Sequence, residues 1–300
     1  MSVISDMYSQ EALLQRIFET SLEEPNVNKN DEHKIANFEK KIKNIIENDK
    51  LREQPVFMWV DSFFVRDIAQ KVLIDNSSVA IGITGESAAG KSTLVRSIAD
   101  EIEKRQAIFD SNVFTVISAD NYFNDISDKI KKYGSFEAVL DSGYDTDAPT
   151  SFQLDLMKED IKKLLNGNDV MIPEYKINGT GVSVPNSIHK QGAKVVMSEG
   201  IAVLYSEIRD VFDVRVYVDI DEAERKSRFI NRAIHCRCMD MDGAEKQWKA
   251  VNESAKTYLR SKKKYAHIVI NGKSSEKDFK DVAVELFNAI LECKNTLVSI

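Results

Sequence analysis

One short stretch constrains the fold of this chain more than any other. An apolar, β-branched run at residues 79–83 leads into a glycine-rich turn, and a helical pattern begins at Lys91. Residues 85–92 match the GxxxxGK[ST] pattern of a phosphate-binding loop, or P-loop. Such a loop lies between a strand and a helix because successive backbone N–H groups and the positive end of the helix together form a cradle for anions. The stretch therefore predicts an α/β fold that binds a nucleoside triphosphate.

Each residue type in this loop has a physical reason. Gly85 and Gly90 allow the backbone to approach phosphate oxygens without a Cβ in the way. Lys91 is expected to reach the β- and γ-phosphates as a point charge, and the hydroxyl of Ser92 to ligate Mg²⁺. The predicted phosphate-binding residues are Gly85, Glu86, Ser87, Ala88, Ala89, Gly90, Lys91, Ser92 and Thr93.

Composition narrows the class of protein. The net charge of −7 argues against nucleic acid as the main partner, since binding to a phosphate backbone needs a basic face. The first residues lack the basic start and apolar core of a signal peptide. The most apolar region, residues 56–74, is interrupted by charged residues, so no membrane span is predicted. Three cysteines in 300 residues are typical of a reducing compartment, and we expect a cytoplasmic protein.

The chain divides into two parts. Residues 1–76 carry apolar stripes at helical spacing and no strand signal, so they predict a helical N-terminal extension whose third helix begins at Pro55. This extension either packs on the rest of the protein or serves as a dimerisation or regulatory arm, and a dimerisation arm would make the protein a homo-oligomer. Residues 77–300 predict the P-loop domain, in which strands alternate with helices.

The alternation defines the architecture. Strands are predicted at residues 79–83, 113–117, 194–197, 214–220 and 267–270. Residues 122–150 are predicted to be rich in loops, and residues 170–184 to form a short strand followed by an excursion or hairpin. Strands alternating with helices imply a parallel sheet covered by helices on both faces. The fold class is therefore α/β, and with the P-loop after the first strand it is a P-loop NTPase fold.

Two carboxylates follow predicted strands. Asp120 comes after the second strand and Glu199 after the third. Ligands of an open parallel sheet bind beyond the carboxyl ends of its strands, where the P-loop also lies. Asp120 is accordingly expected to take a proton from an acceptor hydroxyl, and Glu199 to hold Mg²⁺ directly or through water.

Three arginines form a basic stripe in the predicted lid region, residues 222–243. Arg225, Arg228 and Arg232 recur at spacings of three and four residues, so they share one helix face. Directly after a strand of a P-loop fold, such a stripe can close over the phosphates and stabilise the charge of the transferring group. Arg237 is a further candidate.

Several segments carry a resemblance to a known family. The strings ISADNYF (residues 117–123), IPEY (172–175), VVMSEGIAVLY (195–205), VRVYVDIDEAERKSRFINR (214–232) and KKKYAHIVI (262–270) occur in this order. They resemble corresponding segments of the uridine kinase and phosphoribulokinase family of P-loop kinases. The similarity spans about residues 79–272. The helical extension and the small residues of the loop also resemble type I pantothenate kinases.

The resemblance implies a P-loop NTPase fold of the nucleoside- or nucleotide-kinase type, an activity, and a role for each of several residues. Members of the family phosphorylate a hydroxyl of a small metabolite with ATP or GTP and Mg²⁺. On this basis Asp120, Lys91, Arg228 and Arg232 are the catalytic candidates. The residues expected to face the acceptor are Tyr122, Tyr144, Asp145, Tyr175 and Arg225.

The chain also departs from the family pattern. Uridine kinases carry a base-reading histidine five residues after the Pro-x-Tyr tyrosine, where this chain has Thr180, and the usual Arg-Asp pair of the lid is Arg232-Ala233. We predict an ATP-dependent kinase of the uridine or cytidine kinase type. The alternatives are a pantothenate kinase-like or phosphoribulokinase-like enzyme and, from another class, a nucleotide-dependent protein-binding or regulatory module.

Overall fold

The computed structural model of the protein describes residues 29–105, 113–176, 179–237 and 239–295. The helices are α1 (Lys29–Asp49), α2 (Ser62–Ala69), α3 (Lys91–Arg105), α4 (Ser127–Tyr133), α5 (Phe136–Asp141), α6 (Leu154–Leu165), α7 (Glu222–Arg237), α8 (Met241–Tyr258) and α9 (Glu276–Asn295). The strands are β1 (Phe57–Val60), β2 (Val79–Thr84), β3 (Phe114–Ser118), β4 (Val170–Tyr175), β5 (Ser183–Lys190), β6 (Val195–Glu199), β7 (Val214–Asp219) and β8 (Ile268–Asn271).

The central sheet is mostly parallel. Its strands lie in the order β1-β8-β7-β2-β6-β3, and only the contact between β1 and β8 is antiparallel among these described strands. The P-loop strand β2 is therefore central, with β6 on one side and β7 on the other. Strands β4 and β5 pair with each other in a separate antiparallel sheet. This pair agrees with the strand and hairpin predicted for residues 170–184.

Helices cover both faces of the sheet. Neighbouring residues of β2 point to opposite faces, so Ala80 contacts one apolar cluster and Ile83 the other. The first cluster is completed by α6, through Met157, Ile161 and Leu164. The second is completed by residues of α1, α2, α3 and α9, which include Phe38, Val65, Leu94 and Phe279. The predicted α/β fold with a parallel sheet and helices on both faces is confirmed.

The N-terminal part differs from the prediction. The expectation that residues 1–76 contain no strand was wrong, because residues 57–60 form β1 and pair with the edge of the sheet, with Phe57 opposite Ile270. Pro55 precedes this strand, and the third helix starts at Ser62, capped by the side chain of Asp61. The apolar pattern around residues 56–60 is so short that it fits either a helix or a strand. Residues 57–60 form a strand because they can pair with the edge strand β8. The boundary at residue 76 stays a prediction.

Two short helices also replace part of the predicted loop region. Helices α4 and α5 lie within residues 122–150, and their apolar positions are too few to give a periodic pattern. Residues 1–28 of the predicted helical extension lie outside the described residues. None of the helices in the described ranges is long and apolar enough to cross a membrane.

Candidate active site

The carboxyl ends of three adjacent strands converge at one edge of the sheet. In the parallel register, Ile83 of β2 and Ser118 of β3 both lie opposite Glu199 of β6. The P-loop follows β2, and Asp120 lies two residues beyond the end of β3. Gly200 has a φ of +144°, and a Cβ there would lie 2.5 Å from the Cβ of Ala119. Glycine thus allows the segments that carry Asp120 and Glu199 to approach each other.

Several residues of the P-loop have positive φ angles. Gly85 has a φ of +147°, and a Cβ at this position would lie 2.4 Å from the carbonyl oxygen of Val218, so only glycine fits. Ala88 has a φ of +69°, a region that residues other than glycine rarely occupy. The backbone N–H groups of Thr93 and Leu94 both donate to the Gly90 carbonyl, at 3.1 Å, and start α3 directly at the loop.

Lys91 is folded over this loop. Its Nζ donates to the carbonyl oxygens of Gly85, at 2.9 Å, and Glu86, at 3.0 Å. Burial lowers the pKa of the Lys91 ammonium, and the carboxylates of Glu199 and Asp120 oppose that shift. The cation is held between the loop and the two acidic residues, where the terminal phosphates of a nucleotide would bring negative charge.

The surroundings of Asp120 raise the pKa of its carboxyl. Its backbone N–H donates to the hydroxyl of Ser118, at 3.3 Å, which fixes the short 3₁₀ turn after β3. Burial raises the pKa of the Asp120 carboxyl, and the nearby Glu199 raises it further, while Lys91 and Arg232 oppose both effects. A carboxyl with a raised pKa is a stronger proton acceptor when ionised, as a general base must be.

The residues at the strand ends fit a magnesium site. The hydroxyl of Ser118 donates to Oε1 of Glu199, at 2.9 Å. This hydrogen bond does not involve the second carboxylate oxygen, Oε2. Ser92 lies exposed in the first turn of α3. One carboxylate, one hydroxyl and the phosphates of the substrate form the oxygen-rich, incomplete ligand set that Mg²⁺ accepts in kinases. Ser92 and Glu199 thus fit the role expected of them, which stays a prediction.

Two lid arginines reach the loop region. Arg232 Nη2 donates to the hydroxyl of Ser87, at 2.8 Å, and Arg232 is close enough to Asp120 to affect its pKa. Arg228 donates from Nη1 to the carbonyl of Gly272, at 2.8 Å, and from Nε to Glu224, also at 2.8 Å. Gly272 follows β8 and lies beside the loop, because a Cβ on Gly90 would be 3.5 Å from its oxygen. Both arginines therefore lie beside the P-loop, and their predicted role at the phosphates stays a prediction.

Arg225 has a different environment from the one expected. It is buried, and its Nη2 forms an ion pair with Glu86 at 2.7 Å. Its guanidinium also lies over the ring of Trp248, 4.4 Å from the ring centroid. The expectation that Arg225 faces the acceptor is therefore corrected: the side chain supports the base of α7. The face of a helix that enters the core depends on its packing partner, which the spacing of the arginines does not reveal.

Tyr122 also lies away from the expected place. Its side chain is completely buried in the cluster beneath α6, and its hydroxyl donates to Asp160 at 3.0 Å. We correct the expectation that it contacts the acceptor. The 3₁₀ turn at Ala119–Tyr122 brings Asp120 and Tyr122 to opposite sides, with the tyrosine facing the core. In the sequence, an aromatic residue two positions after an aspartate is compatible with a side chain that faces either the acceptor or the core.

The other predicted acceptor residues lie near one another. Tyr175, near the end of β4, packs against Phe123 with ring centroids 5.1 Å apart. Burial raises the pKa of Tyr175 to about 12, and the nearby Tyr144 contributes to the shift. Asp145 accepts from the hydroxyl of Ser254 on α8, at 2.9 Å. Aromatic rings thus line one side of this region, and the carboxylate of Asp145 is engaged by α8.

Asp147 is a site residue that the sequence reasoning missed. It is buried, and its backbone N–H donates to Asp145 at 2.9 Å. Burial raises the pKa of the Asp147 carboxyl to about 6, with Asp145 and Asp120 adding to the shift and Lys91 opposing it. Its charge therefore acts on the same groups as that of Asp120. Asp147 lies two residues after the predicted Asp145, but only the turn shows which carboxyl faces inward.

Comparison with known proteins gives the family. Residues 80–278 match the family model described as "Phosphoribulokinase / Uridine kinase family". A uridine kinase of Streptococcus gordonii is 31% identical over 222 residues, which cover 73% of this chain and 96% of that protein. A uridine kinase of Halobacterium salinarum is 30% identical over 195 residues, covering 64% of this chain and 80% of that protein. A solved D-glycerate 3-kinase of Cryptococcus neoformans superposes with a TM-score of 0.44 at 11% identity, covering 76% of this chain and 89% of the other.

The match of the family model extends over well more than half of the chain, from the P-loop strand to the start of α9. It includes the segments that carry Asp120, Glu199 and the lid arginines. The resemblance inferred from those segments is thereby confirmed. The chain belongs to the phosphoribulokinase/uridine kinase family.

Proposed function

We propose that this small-molecule kinase transfers the γ-phosphate of ATP to a hydroxyl group of a nucleoside, of the uridine or cytidine type. The observation that carries the proposal is the meeting of three strand ends, which brings Asp120 and Glu199 beside Lys91 of the P-loop. A donor cradle and a carboxylate base on one sheet edge are the parts that phosphoryl transfer to an alcohol requires.

Each group has a task in this reaction. Asp120 accepts the proton of the acceptor hydroxyl as its oxygen attacks the γ-phosphorus. Lys91 and the backbone of the loop hold the phosphates, and Arg228 and Arg232 stabilise the charge that spreads over the transferring group. Mg²⁺ held by Ser92 and Glu199 would neutralise charge on the nucleotide phosphates.

Aromatic side chains favour a nucleoside among the acceptors. Phe123 stacks on Phe152, with centroids 4.3 Å apart, and its ring also packs against Tyr175. Base–aromatic stacking contributes about 1–3 kcal/mol per base in proteins that bind nucleic acids. Pantothenate and sugar phosphates have no aromatic ring that could stack on such faces. Because Thr180 stands where uridine kinases carry their base-reading histidine, the stacking faces support a nucleoside without specifying its base.

An acceptor screen tests the proposal. Purified protein with ATP and Mg²⁺ is given nucleosides, pantothenate, sugar phosphates or glycerate, and ADP release is measured. We expect nucleosides to stimulate turnover most. Stimulation by pantothenate or a sugar phosphate alone would favour the corresponding branch of kinases. Stimulation by a protein but by no metabolite would favour the regulatory module.

The role of Asp120 is tested in the same assay. Asp120→Asn keeps the size of the side chain but removes the proton acceptor, so turnover should fall by roughly 10²–10⁴-fold, the usual contribution of a positioned base. The affinity for ATP, measured by calorimetry, should change little. Asp160→Asn is a matched control, because Asp160 is a buried carboxylate that bonds to Tyr122 on the core side. Equal turnover in wild type and Asp120→Asn would remove the proposed role.

A further inference from the structure

Glu86, the second residue of the P-loop pattern, does not direct its carboxylate toward the phosphate cradle. The residue is buried, and its Oε2 lies 2.7 Å from Nη2 of Arg225 in α7. Its Oε1 accepts from Nε of Arg260 at 3.1 Å. Only the backbone of this loop position is needed to line an anion cradle, so the side chain is free for another task.

The first turn of α7 is held tightly by this carboxylate. Arg225 is 1% exposed, and its positive charge is balanced by the Glu86 carboxylate, 2.7 Å away. Its Nη2 also donates to Asn252 of α8, and its guanidinium plane lies over Trp248 of the same helix. A buried arginine next to one carboxylate depends on that partner strongly, because the charge has little access to water.

Arg260 extends the same network to a further element. It lies in the 3₁₀ segment Arg260–Tyr265 and contacts Glu86, and its Nη2 also donates to Glu222, the first residue of α7, at 2.9 Å. The same Nη2 donates to Asn252 of α8 at 2.8 Å. One P-loop carboxylate therefore joins the loop to the base of α7 through two arginines that come from different parts of the chain.

The catalytic arginines lie farther along the same helix. Arg228 follows Arg225 after one turn, and Arg232 follows after another. Arg232 bonds to Ser87, the residue directly after Glu86 in the loop. Two consecutive loop residues are thus attached to α7, one at its base and one about two turns higher. Since a helix moves as a rod, fixing its base to the loop also fixes the arginines relative to the phosphates.

We infer that Glu86 is a positioning residue that couples the P-loop to helix α7, so that a nucleotide bound in the loop sets the position of the lid arginines. This inference rests on the donor half of the proposed function, the binding of a nucleotide at the P-loop, and is independent of the acceptor. Glu86 acts through Arg225 and Arg260.

The fluorescence of Trp248 can report this coupling, because the side chain packs against α7. It packs against Arg225 and against Phe229 of α7, with 5.6 Å between ring centroids. The chain has two tryptophans, and the other one is Trp59 in β1, so a Trp59→Phe background isolates the signal. The probe is the non-hydrolysable β,γ-imido analogue of ATP with Mg²⁺. Its affinity is measured by calorimetry, and the change in Trp248 emission is followed on binding.

We expect the analogue to change Trp248 emission in the background protein. In Glu86→Gln the loop still binds the analogue, with an affinity within about tenfold, but the emission change at saturation falls by about half or more, because binding no longer shifts the lid. The same variant should also melt roughly 5–10 °C lower, since Arg225 remains buried without its anion.

Two further variants separate coupling from stability. Asp49→Asn weakens a buried carboxylate that accepts from the N–H groups of Val56, at 3.1 Å, and Phe57, at 2.8 Å, at the start of β1. The Asp49→Asn variant should have a lower melting temperature and retain the full emission change.

The double variant Glu86→Gln/Arg225→Met removes both charges, so the melting temperature should recover while the emission change stays small.

Distinct results would overturn the inference. A full emission change at saturation in Glu86→Gln would show that the carboxylate does not couple loop and lid. An equal loss in Asp49→Asn would show a general effect of destabilisation. Binding of the analogue to the background protein with no response of Trp248 would refute the coupling and leave the proposed function standing. No binding in calorimetry would refute the proposed function and the inference together.

Discussion

Asp147 and Asp120 place two acidic groups of raised pKa near Lys91. Burial is the main cause in both cases, because it disfavours the charged form of a carboxyl. The pKa of Asp147 rises from an ordinary value of 3.8 to about 6. Between these two values the folded chain holds more protons at this carboxyl than the unfolded chain. The free energy of unfolding therefore falls as the pH rises through that window.

The first prediction follows from this carboxyl. Asp147→Asn removes a charge that opposes folding above pH 6, so the variant should be more stable than wild type at pH 7.5, by about 2–3 kcal/mol. Well below pH 3.8 the carboxyl is protonated in both the folded and the unfolded chain, so the difference should vanish. Thermal unfolding across this pH range measures it. A variant that is less stable than wild type at pH 7.5 would contradict the prediction.

The second prediction concerns Tyr122. Tyr122→Phe removes the buried hydrogen bond to Asp160, so the protein should lose about 1–2 kcal/mol of stability. The KM for the acceptor should stay within about twofold, because the ring faces the core. Steady-state kinetics and calorimetry on the same preparation give both values. A rise in acceptor KM without loss of stability would return Tyr122 to the acceptor site.

At the scale of elements, the hairpin of β4 and β5 brings aromatic groups to the end of the sheet. Tyr175, near the end of β4, packs against Phe123, which follows the 3₁₀ turn after β3. The hairpin is outside the central sheet, so its contacts with the main body position Tyr175. A Pro-x-Tyr string in a sequence indicates such a segment, but the partner of the tyrosine comes from another part of the chain.

The third prediction tests that placement. Tyr175→Ala should raise the KM for a nucleoside acceptor by about tenfold, the equivalent of one lost stacking contact. The KM for ATP should change little, since the P-loop lies on another strand. Met171→Ala, at an exposed position of the same strand β4, is the matched control. If the two variants have the same acceptor KM, the ring does not contact the acceptor.

At the scale of the whole molecule, the described residues before the P-loop strand pack into the same core as the central sheet. Helix α1 contributes Ile35, Phe38, Ile42 and Ile45 to the same apolar cluster as β2 and α9, and β1 extends the sheet beside β8. Each fully buried apolar side chain of this size contributes about 1.5–3 kcal/mol, so their sum is on the order of 10 kcal/mol. That amount is similar to the whole stability of a typical domain.

The fourth prediction compares two truncations. A chain that begins at residue 29 keeps α1, β1 and the central sheet, and should unfold cooperatively and retain acceptor-dependent ADP release. A chain that begins at residue 77 loses β1 and the apolar face of α1, and should be insoluble or lack a cooperative transition. Solubility, thermal unfolding and the kinase assay distinguish the two chains. Full kinase activity in the shorter chain would make the extension an accessory after all.

Local patterns were sufficient for a large part of this protein. The P-loop at residues 85–92 and the alternation of strands and helices rest on backbone geometry and on periodicity within a few residues. The family follows from short segments in a fixed order, and its match confirms that reading. Asp120 and Glu199 could be paired in advance, because neighbouring parallel strands end at one edge of the sheet.

The directions of side chains were decided only by the tertiary structure. Glu86 and Arg260 are 174 residues apart in sequence, and nothing near either residue indicates the other. Tyr122 and Arg225 turn into the core because α6 and α8 cover them there. The strand β1 exists because the edge of β8 is open to pairing. Sequence alone determined the fold class and the family, while long-range packing decided which predicted site residues turn into the core, since burial depends on contacts that no local pattern contains.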